Sequence, residues 1–289
     1  MIDLLNYVFV WGFIWGSIYL GLALGFSIIV GVLRVFHLGF GIFFVVSIYL
    51  VWTFWRVAGL EFWTSVALAV LGSSLLSLAF YPVIKKFSEA EDYLLISLVL
   101  IFLIGEEIIN HIYPVETGVY LPTLVFSQSA SLGYVNVTLQ YIFLAFLSLA
   151  IFMLYVIFLK FTKYGLIIRA TSQDLATSQL FGINPTRTFL LSLAIAVVPS
   201  SVLIIFYSPL TRVDPFMGFP LFIWALQVAV LGGLGNLKGT LLAAYVIGFI
   251  HSFVGYVINP RAMNLASLIA ILIILVLRPR GLARAESIW

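Results

Sequence analysis

The sequence predicts an all-α polytopic membrane protein, and composition and span length both support that fold class. Of the 289 residues, 63% are hydrophobic and 9% are charged, whereas soluble domains typically have about 25% charged residues. The mean hydropathy is +1.20. Apolar runs of about 20 residues, enough to cross a hydrocarbon core, recur along the chain. Because a water-soluble fold could not bury so much apolar surface, we expect a single transmembrane domain over residues 1–289.

We expect eight or nine transmembrane helices. The second and seventh candidates are short and either contain glycine or have polar flanks, so they are candidates for broken or re-entrant segments. The N-terminus, Met1–Asn6, has an acid and no base, unlike the start of a cleaved signal peptide. We therefore expect the first span to be retained. The candidate spans are Tyr7–Leu33, Phe40–Val57, Phe62–Ile84, Tyr93–Ile112, Leu139–Leu159, Thr188–Tyr207, Gly218–Gly233, Thr240–Ile258 and Ala262–Leu277.

The basic residues predict the orientation. An outside N-terminus and nine crossings leave only Arg56, Arg212 and Arg261 of the 14 Lys and Arg residues outside. This positive-inside bias favours a cytoplasmic C-terminus. The net charge of +3 therefore follows from topology and does not indicate a nucleic-acid partner. The inside positions are Arg34, Lys85, Lys86, Lys160, Lys163, Arg169, Arg187, Lys238, Arg278, Arg280 and Arg284.

The long outer loop, residues 111–138, contains Pro114, Gly118, Pro122 and Gly133 and shows no strong periodicity. Connections of this length without secondary structure are uncommon unless they are functional. We expect this loop to cap the outer mouth of the protein.

A polar segment, residues 160–187, separates two apolar runs on the predicted cytoplasmic side. The stretch from Gly165 to Phe181 lacks proline, so it predicts one helix, with Gly182 in the left-handed position of a helix cap. Pro185 disfavours further continuation. An ordered helix facing water is typical of a surface that docks a partner protein.

A second informative stretch, residues 214–240, has glycines at 232, 233, 235 and 239. Glycines near a helix end allow close helix packing and free backbone groups for polar contact. The sequence Lys238-Gly-Thr superficially resembles a phosphate loop but lacks the G-x-x-x-x-G-K-[ST] spacing. We therefore expect no ATP site, cofactor or metal in this chain.

An intramembrane enzyme is disfavoured, because the sequence has no H-E-x-x-H, no nucleophile–base pair and no cysteine. We expect no catalytic residues.

Three stretches together carry a family resemblance. The first, residues 164–184, includes Tyr-Gly-Leu-Ile-Ile-Arg-Ala, Gln-Asp and Leu-Phe-Gly-Ile-Asn; the second, residues 215–239, includes Pro-Phe-Met-Gly-Phe and Leu-Gly-Gly-Leu-Gly-Asn-Leu-Lys-Gly. The third is Leu-Arg-Pro-Arg-Gly-Leu at residues 277–282. They resemble the permeases of branched-chain amino-acid ABC transporters, the LivH/LivM family, and are closer to LivH.

The resemblance implies a cell-membrane importer for branched-chain or other aliphatic amino acids, or a related small amide. Its expected partners are a second, homologous permease, two ATP-binding-cassette ATPases that bind ATP and Mg²⁺, and an extracytoplasmic solute-binding protein. Segment 160–187 would be the coupling segment that docks on an ATPase. The expected coupling residues are Gly165, Arg169, Gln173, Asp174, Leu180 and Gly182.

The N-terminal half departs from the family. Relatives usually continue after the first span with Asn-Phe-Ala-His-Gly-Glu, whereas Phe40 and Ile42 occupy the His and Glu positions here. If those polar groups contact substrate in relatives, this chain handles substrate differently or carries something else. The nearby His37 is either a displaced polar contact or an interfacial histidine.

Glu106 and Glu107 are the acids deepest in an apolar run, and Glu107 and His111 share a helix face. They either face a translocation path or lie in headgroup water. An alternative function is therefore a proton- or ion-coupled secondary transporter that uses these three residues. The candidate path residues are His37, Gly39, Gly41, Glu106, Glu107, Gly218, Gln227, Gly232, Gly233 and Gly235.

Overall fold

The computed structural model describes residues 2–113, 125–279 and 281–283. The first half is a series of helices with short turns. A 3₁₀ turn, Leu38–Gly41, leads into the second helix, and a π-helical turn, Thr53–Val57, extends it. The helices are α1 (Ile2–Leu33), α2 (Ile42–Trp52), α3 (Phe62–Leu78), α4 (Tyr81–Lys86) and α5 (Glu91–Ile112).

The second half begins with two short antiparallel strands and is otherwise helical. Among the described residues, these two strands form the only sheet. Short 3₁₀ turns occur at Ser208–Leu210 and Pro260–Ala262. The elements are β1 (Ser129–Leu132), β2 (Val135–Thr138), α6 (Leu139–Phe161), α7 (Lys163–Gln173), α8 (Leu175–Leu180), α9 (Pro185–Tyr207), α10 (Gly218–Gly232), α11 (Leu237–Val257) and α12 (Met263–Leu277).

All nine candidate spans are helical, and the all-α membrane class is confirmed. Within the described ranges, seven helical segments are long and apolar enough to cross a membrane. The remaining two candidates are α5, a 22-residue helix that carries Glu106 and Glu107, and α10, a 15-residue apolar helix. At 1.5 Å per residue, α10 spans only about 23 Å. It is therefore shorter than a full crossing, as its glycine-bearing sequence suggested.

The outer loop contains secondary structure that its sequence did not predict. Strands β1 and β2 form a hairpin that turns at Gly133, whose φ is +66°. Val135 and Val137 are buried, whereas Asn136 between them is exposed. Four-residue strands are too short to give a clear periodic signal in sequence. Residues 114–124, including Pro114, Gly118 and Pro122, lie outside the described residues.

Helix α1 is the centre of the bundle and contacts α6, α9, α10 and α11. Its approach to α11 depends on glycine. A Cβ added at Gly248 would lie 2.4 Å from the amide nitrogen of Gly16 and 2.6 Å from the carbonyl oxygen of Gly12. Gly12 and Gly16 form a small-xxx-small pattern, which lets two helix backbones approach closely inside a membrane.

Three of the predicted cytoplasmic residues meet at one end of the bundle, which we call the basic end. Lys160, Arg169 and Lys238 line one shared cavity there, although they come from three different helices. The C-terminal segment 281–283 also packs at this end, where the amide of Leu282 donates to the carbonyl of Leu231 at 2.9 Å.

Helix α9 contains Pro199, which has no amide hydrogen to donate to the carbonyl of Ile195. That carbonyl is hydrogen-bonded instead by the hydroxyl of Tyr155 in α6. An unsatisfied carbonyl in hydrocarbon would cost several kcal/mol. Tyr155 therefore compensates for the proline and ties α6 to α9.

We expect Gly248→Ala to destabilise the protein by about 1–3 kcal/mol, because the added methyl group would clash with the backbone of α1. The matched control is Gly72→Ala, where the nearest atom to the new Cβ is a leucine side-chain carbon at 3.0 Å. Thermal unfolding in detergent measures both. Equal melting temperatures for the two variants would contradict the backbone-contact explanation.

We expect Tyr155→Phe to destabilise the protein by about 1–2 kcal/mol, because it leaves the Ile195 carbonyl without a donor. In a Pro199→Ala background, residue 199 regains its amide hydrogen and can bond that carbonyl itself. The same Tyr155→Phe change should then cost much less. A double-mutant cycle on thermal stability measures this coupling, and additive effects would refute it.

Candidate functional site

The coupling segment, residues 160–187, makes a tight turn at the basic end where α6 meets α7. The side chain of Thr162 caps α7 by accepting from the amide of Gly165 at 3.0 Å. A Cβ at Gly165 would lie 2.4 Å from the carbonyl oxygen of Phe158. Gly165 therefore lets α7 turn back directly against the end of α6, so its role in this segment includes packing.

The segment is two helices and not the single helix predicted from Gly165 to Phe181. Helix α7 ends at Gln173, and Asp174 adopts extended angles of φ −148° and ψ 108°. The Asp174 carboxylate accepts from the amide of Thr177 at 3.0 Å and so caps α8. An aspartate that bonds nearby backbone in this way favours a helix start over a helix interior.

The electrostatics of Asp174 follow from this cap. Hydrogen bonds from the Thr177 hydroxyl and amide lower the pKa of Asp174 below its ordinary value.

Gly182 lies just after α8. This residue has φ +79°, so the predicted left-handed position is confirmed. The next helix, α9, starts immediately, with the Asn184 side chain as its cap and Pro185 in its first turn.

Arg34 joins the coupling segment to the central helix. It directly follows α1 and has a positive φ of 55°, which is rare for a residue other than glycine. Its guanidinium donates to the carbonyls of Ser172 at 3.0 Å and Gln173 at 3.1 Å. These are the last carbonyls of α7, where a cation is favourable for the helix dipole. Sequence analysis missed this role, because only the fold brings position 34 to position 172.

The other predicted coupling residues divide into inward and outward groups. Arg169 donates to the carbonyl of Lys160 at 3.3 Å, so it faces α6. In contrast, Leu180 and Phe181 are 87% and 82% exposed. Gln173 is also exposed. The segment therefore presents an apolar pair to the water side, and Phe181 is a candidate docking residue that sequence analysis did not select.

His37 lies deep in the protein, at the turn between α1 and α2. It is fully buried, and its ring packs 5.0 Å from Phe80 and 6.0 Å from Phe43, measured between ring centroids. Neither of its ring nitrogens has a hydrogen-bond partner among the described residues. The His37 ring is therefore enclosed by protein, and both interpretations of it, a displaced polar contact and an interfacial histidine, stay predictions. Gly39 nearby allows close contact with α5, since a Cβ there would lie 2.9 Å from the carbonyl of Leu98.

Glu106 is buried beside the start of α10. A Cβ at Gly218 would lie 2.8 Å from its Oε1 and 2.9 Å from the carbonyl of Gly41. The nearest backbone donors are the amides of Gly218 and Phe219, but Oε1 itself has no hydrogen bond of good geometry among the described residues. The structure thus brings Gly41, Glu106 and Gly218 together.

Glu107 and His111 are separated from this cluster. Both are exposed, and the side-chain amide of Asn110 donates to the Glu107 carboxylate at 3.4 Å. The structure therefore does not assemble Glu106, Glu107 and His111 into one site. Within the described residues, no group of three His, Asp or Glu side chains could hold a metal ion.

The glycines that follow α10 pack backbone against backbone at the basic end. A Cβ at Gly232 would lie 2.6 Å from the carbonyl carbon of Gly239, and one at Gly235 would lie 2.4 Å from Cα of Gly31. Gly233 and Gly235 have positive φ values of 95° and 80°. These contacts give Gly232 and Gly235 a packing role, and the contribution of all three glycines to a path stays a prediction.

Gln227 belongs to a buried polar cluster in the middle of α10. Its Oε1 accepts from the hydroxyl of Ser267 at 2.9 Å, while its Nε2 has no partner among the described residues.

A second buried polar pair joins α1 to α11, where Tyr19 and His251 form a 2.6 Å hydrogen bond. Trp224, one turn from Gln227, packs 5.3 Å from Tyr19. Sequence analysis missed His251, although an intramembrane histidine is itself a signal.

Fold and site together define a polytopic membrane protein with a polar two-helix segment at its basic end and polar groups buried between its helices. The comparisons with known proteins agree. Residues 8–277 match the family "Branched-chain amino acid transport system / permease component". The chain therefore belongs to the branched-chain amino acid permease family and is a multi-pass protein of the cell membrane.

Individual relatives are distant. The chain is 28% identical over 144 residues to the high-affinity branched-chain amino acid transport system permease protein LivH of Escherichia coli K12, covering 48% of this chain and 44% of LivH. It is 29% identical over 171 residues to BraD of Pseudomonas aeruginosa, a permease protein of the same kind of system, covering 56% and 54%. The chain thus spans about half the length of these curated relatives.

One solved structure shares the fold. PsaBC from Streptococcus pneumoniae in complex with Fab matches with a TM-score of 0.52 at 18% identity, covering 95% of this chain and 93% of that one. At this identity, the match supports the overall fold alone.

We expect Asp174→Ala to loosen α8, because it removes the cap that starts this helix. Asp174→Asn is the matched control, since asparagine caps nearly as well. Hydrogen exchange at residues 175–180 measures the difference, and equal exchange in both variants would contradict the cap.

The same cap predicts a pH dependence. Because the pKa of Asp174 is lowered, capping of α8 by the charged carboxylate is complete above the ordinary aspartate pKa. It is lost as the pH falls through the lower folded-state value.

Proposed function

We propose that this chain is the membrane-spanning permease subunit of an ATP-binding-cassette importer. Its cargo would be branched-chain or other aliphatic amino acids, or a related small amide. Family membership supports the cargo class, and the names of the relatives LivH and BraD point the same way. The chain would act as a transport subunit and not as an enzyme.

The observation that carries the proposal is the exposed apolar pair, Leu180 and Phe181, at the basic end. Two adjacent apolar side chains exposed on the water side of a membrane protein favour a protein contact. The sequence contains no phosphate loop. The partner on this surface would therefore be an ATPase subunit that binds ATP and Mg²⁺.

The contacts of the coupling segment suggest how ATPase movement would reach the membrane helices. The end of α7 is bonded to Arg34, which directly follows α1. Helix α1 in turn packs against α9, α10 and α11. A displacement of the docked segment would therefore act on the central helix, which contacts the helices that carry Gln227 and His251.

Family membership supports the rest of the proposed assembly. A second, homologous permease would complete the membrane part, a second ATPase would dock on it, and an extracytoplasmic solute-binding protein would deliver the amino acid. The secondary-transporter alternative has less support, because Glu106 is buried apart from the exposed Glu107 and His111.

Leu180→Asp and Phe181→Asp should each reduce ATP-driven leucine uptake by about tenfold or more, since a charge replaces a buried apolar contact at the proposed interface. Gln179→Asp is the matched control, because Gln179 is exposed next to the pair and gains the same charge. Uptake in cells, normalised to the permease level in membranes, measures the effect. Normal uptake by both variants would overturn the docking role. Uptake that stops when the proton gradient collapses while ATP persists would favour the secondary transporter.

A further inference from the structure

A cavity of about 680 Å³ opens at the basic end, beside the coupling segment. It is enclosed by the end of α1, by α4, by the start of α5 and by single residues of α8 and α9. Its size falls within the range of about 300–1,000 Å³ that is typical of small-molecule sites. It is separate from the exposed pair formed by Leu180 and Phe181.

Side chains of both charge signs line the cavity. Arg34 and Lys85 are cationic, and Glu91 is anionic. Within the part of the chain that the structure describes, Lys85 and Glu91 form no ion pair with each other or with another side chain. The cavity thus offers separate contacts for a negative and a positive group on one ligand.

Part of the cavity lining is apolar and buried. Leu33, Ile84 and Leu94 lie there, each less than one-tenth exposed. The charged side chains and Ser88 are exposed. A ligand therefore enters from the water at the basic end, with its apolar part against the leucine and isoleucine side chains.

We propose that this cavity is a cytoplasmic binding site for a zwitterionic α-amino acid with an aliphatic side chain. Arg34 and Lys85 bind the carboxylate, Glu91 binds the ammonium group, and the buried wall takes the side chain. Charge-assisted hydrogen bonds of this kind are the stronger ones in proteins. The choice of an amino acid among small zwitterions rests on the proposed function.

The site is connected to the coupling segment at two points. Arg34 also donates to the carbonyls that end α7, and Leu175 of α8 lines the cavity. A bound amino acid therefore holds the segment against the bundle from the cytoplasmic side. Amino acid that has accumulated inside the cell would in this way restrain further uptake.

The test uses the absence of cysteine from the chain. Ser88→Cys places a single thiol at the cavity rim, and Glu89→Cys places one at the neighbouring position, which does not line the cavity. The full chain is placed in nanodiscs of phosphatidylcholine and phosphatidylglycerol, where both faces are accessible. L-Leucine should slow maleimide labelling of Ser88→Cys and leave labelling of Glu89→Cys unchanged.

A second set of variants, made in the Ser88→Cys background, tests whether Lys85 binds the carboxylate and Glu91 binds the ammonium group of leucine. Adding Glu91→Gln or Lys85→Gln should raise the leucine concentration needed for protection by about tenfold, as expected for losing one charged hydrogen bond. Lys86→Gln is the control, because Lys86 neighbours Lys85 but does not line the cavity. Leucinol and isocaproate, which each lack one charge of leucine, should protect less well by a similar factor.

Two results would overturn the proposal. One is equal protection at positions 88 and 89, or protection that survives Glu91→Gln unchanged. The other is that phosphatidylethanolamine in the nanodisc blocks labelling while leucine does not, which would assign the cavity to a lipid headgroup. Leucine uptake by the assembled importer separates the two proposals. Leucine uptake without protection of the position-88 thiol would support the proposed function and refute the binding site. Protection of that thiol without leucine uptake would support the binding site and refute the proposed function.

Discussion

The structure depends on close backbone contact around the central helix α1. Lipid is as apolar as leucine, so transmembrane helices gain little from hydrophobic burial against each other and associate through packing and polar contacts. In α1 the packing is achieved at glycines. Gly16 meets Gly248 of α11, Gly25 meets the carbonyl of Ala196 in α9, and Gly31 meets Gly235 after α10. Two neighbouring helices and the turn after α10 are thereby held directly against the backbone of α1.

This constraint explains which parts of the fold could be predicted. The apolar runs were enough to place all nine helical segments, but hydropathy could not tell a central helix from a peripheral one. The spanning windows of α1 and of the last helix are equally hydropathic, yet 94% of the first and 11% of the second are buried. The difference lies in the glycines, which α1 has and α12 lacks. Glycine spacing is therefore more informative than hydropathy about which helix lies at the centre of the bundle.

The candidate site was predictable where chemistry is local and unpredictable where it is long-range. The Gly182 cap follows from its own residue type, and φ +79° confirms it. The break between α7 and α8 at Asp174 is also a local effect. The sequence from Gly165 to Phe181 is nevertheless compatible with one continuous helix, so only the structure reveals that Asp174 caps a second one. The bond between Tyr19 and His251 joins positions 232 residues apart, and no periodicity in the sequence reveals such a pair. The exposure of individual side chains in the coupling segment could not be predicted either. The charged Arg169 faces α6, whereas the apolar Leu180 faces water.

Arg34 combines these features in one residue. The left-handed turn after α1 directs its side chain towards the last carbonyls of α7, while Gly31, one turn earlier, fixes α1 against Gly235. The coupling segment is therefore joined to α1 close to the backbone contact between Gly31 and Gly235. Because packed helices shift as units and do not deform gradually, a movement of this segment would pass to the whole of α1. The same guanidinium borders the cavity at the basic end, so a ligand there and a partner on the coupling segment would act on the same end of the central helix.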